Sequence, residues 1–534
     1  MANPAEQDTQ HALLVVWGQF AREIGLISGL EAVKLNQKTC EHSPQAKVLE
    51  FLVAILSGAK YLQEISLAAH PLDKDLALAR AWGQTGWADY SGVSRTLSGL
   101  SWAEVRALVG VLEQVSQLFI DRELDLIRRL GQPVREDGDL TGIPVSNTSR
   151  TYPNAAYGHM DDEIRLGYQA GVTSLHSPTY GRLWLSVEHH AGDTVSCTQA
   201  EALVLAAEKR TGLRPRRKTE LLRTRIEAFQ KERQPAEKRL ESQKAALEKA
   251  HSAQQATLTQ LEEAQSTPDP KPERIHSLER RCLRREQALA TAQKRLEKTL
   301  RWLQAHYEQE QVLQARLRRF EQENADNPAP VEIRFRIDAG FGTYDNIALL
   351  IEMGYELYTK LHNHKVVQAL QKRVQPEDVW AQVGKNAEMV AWPTLKLDHC
   401  PYPLQVGLER FHTGDQKLKH SALAYFGNAP VTEDLPAWFG TYNGRQTIEA
   451  GIKEAKQVFY LHRLKVRTEP AIYLQEAMTI FAANFIRWAT VWIEQHAEPD
   501  QNQLQLGKMG IKRQVQVVAH TSAKVIQNSE GMLL

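Results

Sequence analysis

Residues 216 to about 324 contain no glycine and are dense in Glu, Lys, Arg, Gln and Ala. Such a stretch reads as long helix, so the segments flanking it must fold around an insertion. Three prolines, in Ser266-Thr267-Pro268-Asp269-Pro270-Lys271-Pro272, force a turn near its middle. Beyond the turn, Ile275, Leu278, Cys282, Leu289, Ala292, Leu296, Leu303, Leu313, Leu317 and Phe320 keep three-and-four spacing. Arg285, Thr299, His306 and Glu310 fill the other seam positions, which makes a heptad pattern with polar interruptions. Before the turn, Leu222, Ile226, Phe229, Leu240, Leu247, Leu258 and Leu261 are more loosely spaced, with Pro235 disturbing them. The pattern predicts an antiparallel coiled-coil hairpin of about fifty residues per arm, about 75 Å long. Its charge run is read as a solvated face.

Either side of this insertion the periodicity differs. Residues 1 to 130 read as helices throughout, with apolar residues at helical spacing in Leu13 to Ile24, Val48 to Leu56 and Val105 to Ile127. Ser101-Trp102-Ala103-Glu104 has the form of a capping box, consistent with either a helix-turn-helix or a plain helical bundle. Gly131 to Pro144 and Leu183 to His190 read as strands, with Asp139 ending the first and Asp137 on the same strand face as its competitor. Thr198 to Arg210 returns to helix. Val331 to Asp338 alternates apolar and polar residues and stops at Asp338-Ala339-Gly340-Phe341-Gly342; helix Asn346 to Met353 and strand Tyr355 to Lys360 follow. A carboxylate at a strand's carboxyl end, before two glycines, is a good place to hold a metal beside a phosphate.

The chain has 534 residues, 42% hydrophobic content and a formal net charge of +1, enough for two or more cored domains. The near-zero sum conceals basic clusters such as Arg214, Arg216, Arg217 and Lys218. Four dispersed cysteines, a polar N-terminus and a most membrane-like stretch (Tyr473 to Ile493) broken by Glu476, Asn484 and Arg487 predict a reducing cytoplasm and no membrane partner. Cys40-x-His42 and His189-His190 lack further spaced ligands and read as incidental. Core or packing roles are expected for Trp392 and Trp438.

The most specific pattern lies near the C-terminal end. On one predicted helix, Tyr442, Arg445, Glu449 and Lys456 project within about 60° of arc, with Lys453 alongside and Ile448, Ile452 and Phe459 forming an adjoining apolar stripe; the Asn443-Gly444 turn signal before that helix leaves Tyr442 at its start or just outside it. One helix would then carry a carboxylate flanked by cations.

Tyr442-x-x-Arg445-x-x-x-Glu449-x-x-x-x-x-x-Lys456 resembles the YREK signature of bacterial insertion-sequence transposases of the DDE type. Arg336-Ile337-Asp338-Ala339-Gly340-Phe341 resembles their second-aspartate strand, and Asp139-Leu140-Thr141-Gly142-Ile143-Pro144 their first. The likeness covers roughly residues 131–210 and 330–495. It implies an α/β fold: a ribonuclease H-like mixed sheet with flanking helices, beside an all-α N-terminal domain and the coiled-coil insertion. The expected domains are a helical DNA-binding or dimerisation domain (1–130), catalytic parts at 131–215, 327–364 and 436–500, the coiled coil at 216–326, a β-rich insertion at 365–435 and a tail at 501–534.

The resemblance further implies that Asp139, Asp338 and Glu449 are catalytic and bind two divalent metal ions, Mg2+ or Mn2+ in its place. Tyr442, Arg445, Lys453 and Lys456 would contact DNA. Three oxygen donors from separate elements suit magnesium, and two ions assist in-line attack at a phosphate. The expected partners are double-stranded DNA, as transposon terminal inverted repeats and target, and a second copy of the chain in the DNA complex. The expected reaction is end cleavage and 3′-hydroxyl strand transfer by a bacterial, nucleoid-associated protein. A domesticated, non-catalytic DNA-binding protein and a nuclease limited to hydrolysis are the alternatives.

Overall fold

The computed structural model describes residues 5–39, 41–148, 151–160, 163–414, 417–496, 505–528 and 531–533. Two compact units emerge: residues 1–215, 330–351 and 355–534 form one, and 216–329 with 352–354 the other.

The first unit begins with β1 (Ala5–Thr9), then α1 (Ala12–Glu23), α2 (Leu26–Glu31), α3 (Pro44–Leu56), α4 (Glu64–Leu67), α5 (Leu76–Ala81), α6 (Tyr90–Ser98) and α7 (Trp102–Arg129). Ser101 and Glu104 close the expected capping box on α7. The helix then buries Val105, Leu108, Leu112, Phe119 and Ile127, and Phe119 stacks on Trp488 with ring centroids 4.2 Å apart. That burial is core packing. The helical reading of residues 1–130 missed β1, a polar Ala-Glu-Gln-Asp-Thr segment that becomes a strand only through a distant partner near the C-terminus.

Next come β2 (Val134–Pro144), β3 (Ala156–Met160), β4 (Glu163–Ser177), β5 (Gly181–Ala191) and α8 (Ala200–Thr211). The second unit contributes α9 (Thr219–Gln265) and α10 (Pro272–Ala325). The chain continues through β6 (Ile333–Arg336), α11 (Tyr344–Glu352), β7 (Glu356–Lys360), α12 (His364–Arg373), β8 (Ala381–Gly384), β9 (Ala387–Leu395), β10 (Leu404–His412) and β11 (Leu418–Phe426). It closes with α13 (Leu435–Asn443), α14 (Gln446–Gln457), α15 (Glu469–His496), α16 (Ile511–Gln516), β12 (Ala523–Asn528) and β13 (Gly531–Leu533).

The fold is mixed α/β, built on one sheet ordered β3-β4-β2-β6-β7-β11-β10-β9-β8, with β5 also paired to β4. β2 with β6 and β6 with β7 are parallel; the other pairings are antiparallel. Residues 365–435 therefore supply α12 and four strands that extend the same sheet. Asp139 does not end its strand, as the Thr141-Gly142 pair had suggested. β2 pairs with β4 from Glu136 to Pro144, whereas β6 accompanies it only from Val134 to Asp137. Asp139 thus lies within β2 but past the end of its parallel neighbour, where the sheet opens. β1, β12 and β13 form a separate three-stranded sheet. No helix among the described residues is long and apolar enough to cross a membrane.

In the second unit α9 and α10 pack antiparallel. The Phe229 and His306 rings stack 3.8 Å apart, the Tyr307 hydroxyl donates to Glu237 at 2.6 Å, and Arg233 pairs with Glu310. The seam positions named on α10 are all sheltered, Arg285 excepted. Pro235 is exposed and α9 runs through it. Glu352, fully buried in this unit, receives Arg225 at 2.6 Å and Arg316 at 2.8 Å.

Candidate active site

Asp338 leaves β6 two residues after Arg336 and caps a short 3-10 turn, its Oδ1 accepting the Gly340 N–H at 2.9 Å. The Thr359 hydroxyl donates to its carbonyl oxygen at 3.1 Å. The glycine that ends the turn is required by space, because a Cβ on Gly342 would lie 1.9 Å from the Lys360 carbonyl oxygen. The turn is thereby pressed against the carboxyl end of β7, and Asp338 is held at the carboxyl edge of two parallel strands.

β2 delivers two aspartates to one face, and the structure separates them. Asp137 is 1% exposed and accepts Arg336 through both oxygens, at 2.6 and 2.8 Å. Arg336 also donates to the Thr441 carbonyl at 2.8 Å, tying the strand to α13. Asp139 has no such fixed partner on the sheet; its Oδ1 accepts the adjacent Leu140 N–H at 2.8 Å and its Oδ2 is left for a group on the helices.

That group is Arg445. The four-residue signature is not on one helix: Tyr442 belongs to α13, Arg445 is the N-cap of α14, and Glu449, Lys453 and Lys456 lie in α14. The break falls at Gly444-Arg445, where the Arg445 N–H bonds back three residues to Tyr442 rather than four. A restart there turns the Arg445 side chain inward. α14 is seated on β5 at Gly451, where a Cβ would lie 2.4 Å from the Arg182 guanidinium and 2.6 Å from the Trp184 ring. Arg182 in turn donates to the Thr447 carbonyl.

Arg445 gathers acids from three elements. Its guanidinium lies 3.3 Å from Asp139, 2.9 Å from Glu449 and 4.0 Å from Asp338. The arginine side chain is 7% exposed, and the three carboxylates open progressively to solvent, from Asp139 at 12% through Asp338 at 35% to Glu449 at 56%. Burial pushes the Asp139 carboxyl up to about 7; Arg445 opposes this, while Asp338 and Glu449 add repulsion. Burial also works against the charge of Arg445, but Asp139, Tyr442, Asp338 and Glu449 hold the guanidinium above its usual range.

Tyr442 is 6% exposed and packs with Tyr425, Trp438 and Phe439; Arg445 donates to its hydroxyl, and burial raises that hydroxyl to about 12. Its ring is therefore interior, and its hydroxyl meets Arg445. Lys453 is exposed and Lys456 half-buried. Lys360, which the sequence reading did not single out, ends β7 with its ammonium 5.7 Å from the Tyr442 ring centroid and 3.3 Å from Glu409. Only its place at a strand's carboxyl end could have pointed to it. Trp438 is buried, and Trp392 lies half-buried beneath Arg373. His189 pairs with buried Glu476 at 2.9 Å, and Cys40 lies outside the described residues.

Among the described residues, no three acidic, histidine or cysteine side chains are gathered tightly enough to ligate an ion as they stand. Arg445 contacts all three acids of the cluster. The donor set still fits a hard divalent cation: three carboxylates from separate elements offer oxygen ligands, and burial together with their mutual repulsion raises Asp139. No protein-family model matches this chain, and no curated protein matches it significantly.

Proposed function

We propose that the chain is a DDE transposase on a ribonuclease H-like fold, cutting the ends of its element and joining the 3′-hydroxyls to target DNA. The observation that carries this reading is the convergence of Asp139, Asp338 and Glu449, from β2, the end of β6 and α14, on the single guanidinium of Arg445. The run of antiparallel strands β5-β4-β2 followed by parallel β6 and β7 supports the fold assignment.

Asp139, Asp338 and Glu449 would hold the divalent ions, Mg2+ or Mn2+, which when bound supply charge stabilisation at the phosphate and activate water or a 3′-hydroxyl. The chain's own groups do the rest. Arg445, fixed from behind by the Tyr442 hydroxyl, keeps three like charges within one small volume. The buried Asp137–Arg336 pair and its bond to Thr441 set the distance between β2 and the helix that brings Arg445. Lys453 and Lys456 offer phosphate contacts along α14. The α9–α10 hairpin is assigned as a coiled coil that serves paired-end assembly. Replacing 216–324 by a short Gly/Ser linker should abolish paired-end complexes, and complexes of wild-type yield would remove that role.

The deciding measurement uses duplexes carrying the terminal inverted repeats that flank the gene. Asp338→Ala should lose Mg2+-dependent cleavage while binding the repeat with near wild-type affinity, since a metal ligand acts mainly on the transition state. Retained cleavage would show that the acids have been misassigned. Flanks without inverted repeats and short target duplications would count against transposition itself.

A further inference from the structure

A groove of about 520 Å³ opens between the start of α11, helix α12 and the loop after β9. Lys365, Lys372, Arg373 and Lys396 rim it, against a single lining acid, Asp398, and its floor includes the buried Leu370, Leu395 and Leu397. All four cations are exposed, and among the described residues none has a carboxylate partner within ion-pair distance. The Arg373 guanidinium lies over the face of Trp392, 5.9 Å from the ring centroid, a contact that leaves its charge unneutralised. Unlike the lysines and arginines of α9 and α10, many of which meet glutamates, these are not balanced as a solvated helix face usually is.

The groove borders the acid cluster along the sheet edge. Tyr344, on its wall, follows the Asp338 turn directly, and the His362 N–H donates to the Gly342 carbonyl at 3.3 Å just before Asn363 caps α12. In strand order β6, which leads into Asp338, lies between the strands met by α14 (β2 and β5) and those met by α12 (β11 and β10). The cations of α14 and those of the groove therefore meet the sheet on opposite sides of the strand that leads into Asp338. From β2 to β11 is three strand spacings, about 14 Å. Lys365 and Lys372 share one face of α12, about 10.5 Å apart along its axis, the axial rise of roughly three nucleotides of one strand.

We infer that this groove is a second DNA-backbone site, taking the duplex on the far side of the scissile phosphate from Lys453 and Lys456. That duplex is the flanking DNA before cleavage and the target DNA afterwards. The inference rests on the transposase reading for the identity of the DNA, but the groove's affinity for a phosphate backbone is measurable without it.

The test compares the full-length protein with Lys365→Ala/Lys372→Ala/Arg373→Ala, and with the charge-keeping Lys365→Arg/Lys372→Arg, on three probes. These are a duplex ending at the terminal repeat, the same duplex extended by about two turns of flanking sequence, and a scrambled duplex of the longer length. Wild type and the Arg variant should bind the extended probe more tightly than the short one. The triple Ala variant should lose that increment, with its salt dependence on the extended probe flattened by about 0.9 per lost phosphate contact, roughly 2.7 for three. Equal affinities and slopes for wild type and triple variant on every probe would overturn the groove, and an acidic protein partner would become the better occupant. If wild type does not prefer the terminal repeat to the scrambled duplex, the transposase reading fails instead, and the scrambled-probe slopes alone decide the groove. A flattened slope upholds it, and an unchanged one removes it.

Discussion

Arg336 and Arg445 each take an aspartate from the same face of β2, and both are nearly buried, but only one of the two charge sets closes. Around Arg336 there is one anion, Asp137, bonded through both oxygens, and the Thr441 carbonyl accepts from the third guanidinium nitrogen. Around Arg445 there are three carboxyl groups for one cation, and the surplus faces outward, with Glu449 more than half exposed. A buried pair balanced one to one holds two elements in register. A surplus of carboxylate at a solvent-open edge is a standing demand for more positive charge, which is what a metal-dependent phosphoryl-transfer site requires.

The contrast is sharpest in alanine variants of the two aspartates. Asp139→Ala should reduce Mg2+-dependent end cleavage by about a thousandfold or more, equivalent to some 4 kcal/mol of transition-state stabilisation, while the melting temperature changes little. Asp137→Ala should do the reverse to the fold, costing about 3–5 kcal/mol by leaving Arg336 buried without its counter-charge. Denaturant melts alongside single-turnover cleavage measure both. If Asp137→Ala melts like wild type and fails to cut, the roles of the two aspartates must be exchanged.

A third acid of β2 sharpens the comparison, because among the described residues no cation pairs with it. Glu136 is fully buried, on the opposite face from the two aspartates, and burial, with Glu208 beside it, pushes its carboxyl up to about 8 from 4.5. The folded state therefore holds a proton that the unfolded state releases. This contribution to stability is whole below about pH 4.5 and is lost as pH rises towards 8, by at most about 1.36 kcal/mol per pH unit. Glu136→Gln should remove that slope, so its stability relative to wild type rises between pH 5 and 8. Parallel stability–pH curves for the two proteins would show that Glu136 is charged in the fold and paired.

What sequence reading recovered follows from which signals are local. The sheltered positions of α10 were legible because heptad spacing records one helix's contact face. Glu449 beside Arg445 was legible because four residues make one helical turn. β4 was missed: from Gly167 to Leu175 both faces are buried, and Gly167, Ala170 and Gly171 leave neither alternation nor β-branched enrichment to read. The break between α13 and α14 was legible in the Asn443-Gly444 turn signal, which put Tyr442 outside the charged helix; Gly444 and Arg445 keep helical dihedrals, and the shift from four-residue to three-residue bonding marks the break in the structure. The approach of Arg445 to Asp139 and Asp338 is tertiary, joining residues more than 100 apart, and no local pattern encodes it.

The smallest expected effect separates the cations of α14 from one another. Treated as a sequence pattern, Arg445, Lys453 and Lys456 are equivalent phosphate contacts. In the structure Arg445 is enclosed by carboxylates, whereas Lys453 is exposed and Lys456 half-exposed near the helix end, where its carbonyl accepts from His462. Lys453→Ala and Lys456→Ala should each flatten the salt dependence of end binding by about 0.9 and weaken binding only a few-fold at moderate salt. Arg445→Ala should leave that slope nearly unchanged. Its effect should appear instead as lost cleavage, because removing the guanidinium leaves Asp139, Asp338 and Glu449 to repel one another without a fixed counter-charge. Arg445→Lys keeps one positive charge but cannot reach three acids with one compact ammonium, so it should recover only part of the activity. A salt slope that falls by a full unit in Arg445→Ala would mean that the guanidinium leaves the acids to bind DNA. The surplus of carboxylate around it would then belong to the unbound protein alone.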